Sequence, residues 1–252
     1  MAAAKPGTDR VIVVTGASRG IGARTAQLAG QRGYRVCVNF QSNRGKADAV
    51  VQSIVAAGGH AMAVQADVGD ADAVARMFET VDRELGRVTA LVNNAGINDI
   101  AQGRVDEVDA DAVRRLFNTN VVSQFLCSRE AIRRMSTKHG GTGGAIVNLS
   151  STLAHTAAAG RFIAYGATKG AIEAFSYSLA QEVAAESIRV NCCRPGPSDT
   201  DMIPPGRIEQ IGAQLPMGRI STPDEVANAI LWLLSDEASY VSGTTLAVTG
   251  AR

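Results

Sequence analysis

The feature that most constrains the fold is an apolar run that leads directly into a glycine-rich loop. Residues 10–15 are mainly apolar, which is typical of a strand buried on both faces. Glycines spaced Gly-x3-Gly-x-Gly follow, and a helical pattern extends to Gly33. Small residues let a backbone approach a pyrophosphate, and free N–H groups at a helix N-terminus attract it. A plain tight turn is the alternative; we predict a dinucleotide-phosphate loop with contacts from Gly16, Ser18, Arg19, Gly20, Ile21 and Gly22.

The rest of the chain repeats the alternation of strand and helix. Strand-like segments lie at residues 35–40, 60–65, 88–92, 145–149, 188–193 and 244–248, separated by helical patterns. This alternation predicts an α/β fold, a doubly wound Rossmann-type parallel sheet of about seven strands flanked by helices. With 252 residues and no visible linker or repeat, we expect a flexible leader at residues 1–9 and one domain at residues 10–252.

The end of the second strand indicates which dinucleotide the loop would bind. An NAD site needs an Asp or Glu there to accept from the ribose 2′-hydroxyl. The chain instead has Asn39 and Phe40, followed by Gln41, Ser42, Asn43 and Arg44. Without a carboxylate to repel it, a 2′-phosphate could bind Ser42, Arg19 and Arg44, so NADP(H) is preferred and NAD(H) is possible. The alternative for Arg44 is a solvated charge that opens the next helix. Phe40→Asp should shift preference toward NAD(H), because a carboxylate there would repel a 2′-phosphate.

The loops after the third and fourth strands should lie beside the glycine loop, because the carboxyl ends of parallel strands meet at one edge of the sheet. Ligands bind in the crevice beyond that edge. Asp67 can accept from an adenine amino group, and the small Ala95–Gly96 pair leaves room for ribose. These residue types are also common in any loop. We assign Asp67, Val68, Asn93, Ala95 and Gly96 to cofactor binding.

Tyr165 and Lys169 are four residues apart in a helical pattern, so both side chains lie on one face. A lysine beside a phenol favours phenolate and should lower the tyrosine pKa, which would make Tyr165 a general acid/base. By itself the pair is more often an ordinary surface pair. The strand at residues 145–149 ends at Ser150 and Ser151, whose hydroxyls could bind a substrate oxygen.

Two further segments carry functional predictions. A long helix is predicted over residues 109–138, and Asn120 is unfavourable within it, which indicates a specific role. Residues 194–217 are rich in Pro and Gly and are predicted to form a long functional loop, such as an active-site lid.

Composition narrows the class of protein. A net charge of +1 gives no reason to expect a nucleic-acid or membrane partner, and no apolar run approaches the length of a membrane span. The first ten residues do not resemble a signal peptide, so we expect a cytoplasmic protein. No cysteine–histidine pattern suggests a metal site, and Cys37, Cys192 and Cys193 are expected to be buried, reduced thiols.

These motifs occur in a fixed order: the glycine loop, the Asn93–Gly96 corner, Asn120, Ser151, Tyr165 with Lys169, and then Pro195, Gly196 and Thr200. In that order they resemble the short-chain dehydrogenase/reductase family over residues 10–250. The resemblance is to the single-domain branch of 3-oxoacyl-carrier-protein reductases and glucose 1-dehydrogenases, whose members are usually homotetramers. It implies an oxidoreductase that transfers a hydride between nicotinamide and a carbonyl or secondary alcohol.

The resemblance also implies residue roles. Tyr165 is the acid/base and Ser151 orients the substrate oxygen. Lys169 binds the nicotinamide ribose and lowers the Tyr165 pKa, while Asn120 holds a proton-relay water. Pro195 and Gly196 face the nicotinamide, with Thr200 at its carboxamide.

Other readings and the substrate stay open. A non-catalytic dinucleotide-binding redox sensor would be expected to lack one of the catalytic side chains, which are all present. An extended-family epimerase would need a longer C-terminal region. A 3-oxoacyl thioester, a sugar and a small ketone are all possible substrates, with pocket walls predicted at residues 98–101, 155–163 and 202–211.

Overall fold

A computed structural model describes residues 10–156, 159–204 and 206–252. The predicted leader lies outside these residues, as do residues 157, 158 and 205 of the predicted pocket walls. The strands are β1 Val11–Val14, β2 Arg35–Phe40, β3 His60–Gln65, β4 Val88–Asn93, β5 Gly144–Leu149, β6 Ile188–Pro195 and β7 Thr245–Val248. They pair in parallel as one sheet, in the order β3-β2-β1-β4-β5-β6-β7. This confirms the predicted Rossmann architecture.

The connections between strands contain the predicted helices, together with two short helices at residues 153–156 and 208–212 that the sequence did not predict. They are α1 Gly20–Gln31, α2 Arg44–Ala56, α3 Ala71–Glu84, α4 Ala110–Phe117, α5 Ser123–Met135, α6 Leu153–Thr156, α7 Ile163–Val183, α8 Ile208–Gly212 and α9 Pro223–Leu234. The helix predicted over residues 109–138 is divided by a π-helical turn, Asn118–Val122, which carries Asn120. Such turns are frequent at functional sites.

The sheet is buried on both faces, as its apolar strands predict. In β1, Ile12 and Val14 join a core cluster with α1 and α9, while Val11 and Val13 join a second cluster with α3 and α5. All four side chains are completely buried. The rigid sheet therefore fixes where its carboxyl ends, and the loops that follow them, are placed.

The strand order reverses at β1, which lies between β2 and β4. Successive connections cross to opposite sides of the sheet at this point, and a crevice opens beyond the carboxyl ends of the strands. The cysteines are free and buried, as predicted for the strand cysteines. Within the described residues, none of the helices has the length and apolar character needed to cross a membrane.

Candidate active site

The glycine loop is tightly folded between β1 and α1. Gly16 and Gly20 have φ values of +60° and +56°, conformations that residues with a Cβ rarely adopt. Gly22 is needed for space: a Cβ there would lie 2.4 Å from Asn94 Nδ2 and 2.7 Å from the Gly16 carbonyl oxygen. The glycine spacing thus reflects backbone conformation at two positions and close packing at the third.

Side chains at neighbouring strand ends hold this loop. The Asn94 amide donates to the carbonyl oxygens of Thr15 at 2.8 Å and Gly16 at 3.1 Å. Asn39 accepts from the Gly16 N–H at 3.1 Å and donates to two carbonyl oxygens at the end of β3. The backbone therefore uses both polar atoms of Asn39, which positions the loop. Sequence reasoning missed Asn94, although its place directly after an apolar strand was a signal.

The N-terminus of α1 has no side-chain cap. Arg19 at the N-cap position makes no capping hydrogen bond, and the first turn contains no acidic residue. In contrast, α2, α3, α4 and α9 begin with side-chain caps, from Asn43, Asp70, Asp109 and Thr222. Free N–H groups and the helix dipole favour an anion at the start of α1, so this end fits a pyrophosphate.

An open cavity of about 320 Å³ lies beyond the carboxyl ends of β1, β2 and β4. Most of the predicted cofactor residues line it, including those of the glycine loop and those after the second, third and fourth strands. Its lining includes Gly16, Ser18, Arg19, Gly20, Ile21, Asn39, Phe40, Ser42, Asp67, Val68, Ala95, Gly96 and Thr200. The structure thus brings together residues that are up to 184 positions apart, from Gly16 to Thr200.

Two charged residues that sequence reasoning missed line the cavity. Lys46 and Asp201 face it, whereas Arg44 pairs with Asp48 on the exposed side of α2. Lys46, two residues further along α2, therefore lines the cavity in place of Arg44. Only the position of Lys46 two residues after Arg44 hinted at this.

Two other predicted cofactor residues are buried more deeply than expected. Asn93 is 2% exposed, and its amide donates to Ser128 Oγ at 3.1 Å and Asn148 Oδ1 at 2.8 Å, so it ties β4 to α5 and β5. Phe40 lines the cavity but is only 1% exposed and belongs to the core. A carboxylate at Phe40 would be buried without a partner, so the test of cofactor preference belongs at the exposed Ser42 instead.

Tyr165 and Ser151 meet at the other end of the site, where β5 ends against the start of α7. Burial raises the pKa of Tyr165 to about 12, and a hydrogen bond with Ser151 lowers it only partly. This is opposite to the predicted direction, because desolvation of the phenolate outweighs the effect of neighbouring groups. Tyr165 therefore holds its proton at neutral pH in this structure.

Lys169 lies one turn further along α7 and is 3% exposed. Its Nζ donates to the Leu149 carbonyl oxygen at 2.8 Å and lies 5.5 Å from the centroid of the Tyr165 ring. Burial lowers the pKa of Lys169 to about 8. The ammonium group is thus held beside the tyrosine at an energetic cost, since its charge is largely removed from water.

Asn120 joins this group to the cavity. Its side chain accepts from the Ile97 N–H at 2.8 Å and donates to the Ile97 carbonyl at 2.9 Å and to Thr168 Oγ1 at 3.3 Å. A Cβ at Gly96, which lines the cavity, would lie 3.3 Å from Asn120 Oδ1 and 3.6 Å from Lys169 Nζ. The predicted catalytic and cofactor residues therefore adjoin at Gly96.

Pro195 is the last residue of β6, and Gly196 and Thr200 lie in the loop that follows it. The Thr152 N–H donates to the Pro195 carbonyl at 3.1 Å, which places this segment beside Ser151. Thr200 lies over the glycine loop, where its Cγ2 would be 3.2 Å from a Cβ at Gly20. The loop after β6 thus reaches from the neighbourhood of Ser151 to the glycine loop.

A polar cluster beside Ser151 and Tyr165 escaped sequence reasoning. Glu173, two turns after Tyr165 on α7, accepts from Ser150 Oγ at 2.7 Å and from Arg194 at 2.7 and 2.8 Å. His155 Nε2 lies 2.8 Å from Glu173 Oε2. Burial raises the pKa of Glu173, but hydrogen bonds from Arg194, Ser150 and His155 outweigh burial and bring it to about 2. One carboxylate thus fixes the neighbours of both Ser151 and Pro195.

Comparisons with known proteins agree with this architecture. A family model described as "Enoyl-(Acyl carrier protein) reductase" matches residues 16–250. "Uncharacterized oxidoreductase YgfF" of Escherichia coli (strain K12) is 46% identical over 246 residues, covering 96% of this chain and 99% of the relative. The 3-oxoacyl-[acyl-carrier-protein] reductase FabG of Staphylococcus aureus (strain N315) is 38% identical over 242 residues, covering 94% and 96%. A short-chain dehydrogenase of Burkholderia cenocepacia J2315, solved in complex with NADP, has a TM-score of 0.90 and 30% identity, covering 98% of this chain and 99% of that one.

Proposed function

The chain belongs to the short-chain dehydrogenase/reductase family, and from that premise we propose that it is an NADP(H)-preferring oxidoreductase acting on a carbonyl or secondary alcohol. The observation that carries this proposal is that Ser151, Tyr165 and Lys169 lie together and that Lys169 and Asn120 adjoin the cavity at Gly96. The family is NAD(P)-dependent, and the glycine loop fits a dinucleotide because the start of α1 has no side-chain cap and no acidic residue, which leaves backbone N–H groups for the phosphates.

The residues that would hold the cofactor divide by chemistry. The uncapped N-terminus of α1 and the Gly16–Gly22 backbone would bind the pyrophosphate, and Asp67 and Val68 the adenine, while Ala95 and Gly96 leave room for a ribose. Lys169 would bind the nicotinamide ribose, with Pro195, Gly196 and Thr200 against the nicotinamide itself. When bound, the nicotinamide supplies or accepts the hydride.

The preference for NADP(H) rests on the cavity wall formed by the glycine loop and the segment after β2. Arg19, Ser42 and Lys46 offer two cations and a hydroxyl to a 2′-phosphate. Asn39 stands at the end of β2, where an NAD site would carry a carboxylate for the ribose 2′-hydroxyl. The NADP complex of the Burkholderia relative supports this choice.

The chain's own groups handle the proton and the substrate oxygen. Ser151, hydrogen-bonded to Tyr165, would orient that oxygen. Tyr165 holds its proton at neutral pH and so can donate it to an oxygen that becomes an alkoxide on reduction. After the transfer, the Lys169 ammonium stabilises the negative charge of the Tyr165 phenolate. Asn120 fixes the backbone at Ile97. Most of the rate enhancement would come from this positioning and preorganised charge.

The substrate class stays a choice among a 3-oxoacyl thioester, a sugar and a small ketone, and the FabG relative supports the thioester. We propose a homotetramer in the cytoplasm. Large apolar side chains exposed on the helices favour such an assembly, namely Val122 and Phe125 on the α5 side and Trp232 on α9.

The test is turnover and cofactor binding of Tyr165→Phe. We expect turnover of a carbonyl panel to fall roughly 10³-fold, because the transferable proton is lost, while the dissociation constant for NADPH stays within about twofold. Tyr177→Phe, on the exposed face of the same helix, is the matched control and should behave as wild type. Wild-type turnover in Tyr165→Phe would remove Tyr165 from its role, and binding without any turnover in the parent protein would favour a redox sensor.

A further inference from the structure

A carboxylate lies between the two cations of the cavity wall. Asp201 Oδ2 is 3.0 Å from Lys46 Nζ and 3.6 Å from Arg19 Nη1. All three residues line the cavity beside Ser42, where the proposed 2′-phosphate would bind. The three side chains are each half exposed or more, so this is a solvent-accessible ion triad rather than a buried core pair.

The triad spans the mouth of the cavity. Asp201 follows β6, Arg19 precedes α1, and Lys46 lies in the first turn of α2. Thr200 and Met202, the sequence neighbours of Asp201, line the same cavity, and Thr200 contacts the glycine loop at Gly20. The segment at residues 200–202 therefore crosses from the β6 side to the α2 side and is attached at its far end by charge. Lys46 holds the pKa of Asp201 below its usual value, so the carboxylate is ionised at neutral pH.

We propose that Asp201 is a specificity-determining residue, an internal anion that occupies the two cations and competes with the cofactor's 2′-phosphate. A phosphate and the Asp201 carboxylate are both anions that need Arg19 and Lys46, so NADP(H) must exchange one for the other on binding. NAD(H) has no 2′-phosphate and leaves the triad intact. Asp201 thus weakens binding of NADP(H) selectively and moderates the preference that the two cations create.

This inference rests on the proposed NADP(H) site, and its test separates the two. The probes are 2′,5′-ADP and 5′-AMP, which differ only in the 2′-phosphate and carry no nicotinamide, so binding is measured without catalysis. Dissociation constants are measured by calorimetry for the wild-type protein and Asp201→Asn, and then for NADPH and NADH by fluorescence. Asp199→Asn, on the same loop and exposed, is the matched control.

We expect Asp201→Asn to bind 2′,5′-ADP and NADPH on the order of fivefold more tightly, as befits removal of exposed ion pairs. Binding of 5′-AMP and NADH should change by less than about twofold, and Asp199→Asn should resemble the wild type for every probe. Lys46→Met should weaken binding of 2′,5′-ADP, and Asp201→Asn should gain less in that background because one competing cation is gone.

Two results would overturn the inference. In the first, Asp201→Asn binds 2′,5′-ADP no more tightly than the wild type, which would make the triad a loop attachment only. In the second, it tightens 5′-AMP as much as 2′,5′-ADP, which would mean that the loop simply opens. Equal affinity of the wild type for both probes would refute the proposed NADP(H) preference. A preference for 2′,5′-ADP that then appeared in Asp201→Asn would still support the inference, and its absence there would overturn it.

Discussion

Lys169 and Lys46 belong to the two ends of one site, and their surroundings differ in the property that matters most for charge. Lys169 is 3% exposed and donates to a carbonyl oxygen, and burial lowers its pKa to about 8. The Lys46 side chain is 52% exposed and pairs with Asp201. At the end of the site formed by Tyr165 and Lys169, here called the catalytic end, desolvation sets the protonation states of the side chains. At the mouth of the cavity, formed by Arg19, Lys46 and Asp201, water and salt screen the ion pairs. We therefore expect substitutions at the catalytic end to change stability and pH dependence, and those at the mouth to change selectivity.

The largest effect on stability is expected from Glu173→Ala. The Glu173 side chain is 13% exposed, and the substitution leaves the Arg194 guanidinium, itself 24% exposed, without its carboxylate partner. We expect the free energy of unfolding in urea at pH 7 to fall by about 3 kcal/mol. Glu182→Ala, exposed on the same helix, is the control and should change it by less than about 0.5 kcal/mol.

The same variant carries a pH signature. The folded pKa of Glu173 is about 2, below its ordinary value of 4.5, so its contribution is present above pH 4.5 and is lost as the pH falls towards 2. The difference between the wild type and Glu173→Ala should therefore shrink over that interval. A difference that does not depend on pH would show that packing, not the charge, is responsible.

A smaller effect of opposite sign is expected from Lys169→Met. The folded pKa of Lys169 is lowered from 10.5 to about 8, which amounts to a penalty of about 3 kcal/mol that is fully present below pH 8 and vanishes above 10.5. Loss of the hydrogen bond to Leu149 offsets about 1 kcal/mol of it. The variant should thus be more stable than the wild type by about 2 kcal/mol at pH 7, while losing turnover.

Urea unfolding at pH 7, 9 and 10.5 would check this expectation, since the advantage of Lys169→Met should decline as the pH rises. Lys46→Met serves as the exposed counterpart and should leave stability nearly unchanged at each pH. Equal changes in the free energy of unfolding for Lys169→Met and Lys46→Met would contradict the proposed difference between the catalytic end and the mouth.

The smallest effect is expected at the mouth, from Ser42→Asp. Ser42 is exposed in the cavity wall, and a carboxylate there would repel a 2′-phosphate. We expect NADPH binding to weaken about tenfold, equivalent to ~1.4 kcal/mol, with NADH affinity unchanged. The effect should decrease from low to high ionic strength because exposed charges are screened. Ser53→Asp, exposed on α2 outside the cavity, is the control, and an unchanged NADPH/NADH ratio in Ser42→Asp would place the phosphate elsewhere.

Local patterns predicted much of this molecule. The strands at residues 35–40 and 60–65 lie where the sequence placed them, because apolar periodicity acts over a few positions. The lining of the cavity by the glycine loop was also predictable, since strand ends in a parallel sheet meet at one edge. The side-chain contacts of Arg44 and Asn93 were less predictable. Both residues follow or end strands beside the cavity, but Arg44 pairs with Asp48 and Asn93 donates to Ser128.

The sequence by itself determined the Rossmann fold, the place of the glycine loop and the identity of the tyrosine–lysine pair. These depend on backbone preferences and short spacings that the chain carries locally. Only the tertiary structure decided that Lys46 and Asp201, 155 residues apart, share one ion triad, and that Glu173 binds Ser150, Arg194 and His155. It also decided the direction of the Tyr165 pKa, because desolvation depends on which distant segments exclude water from the phenol.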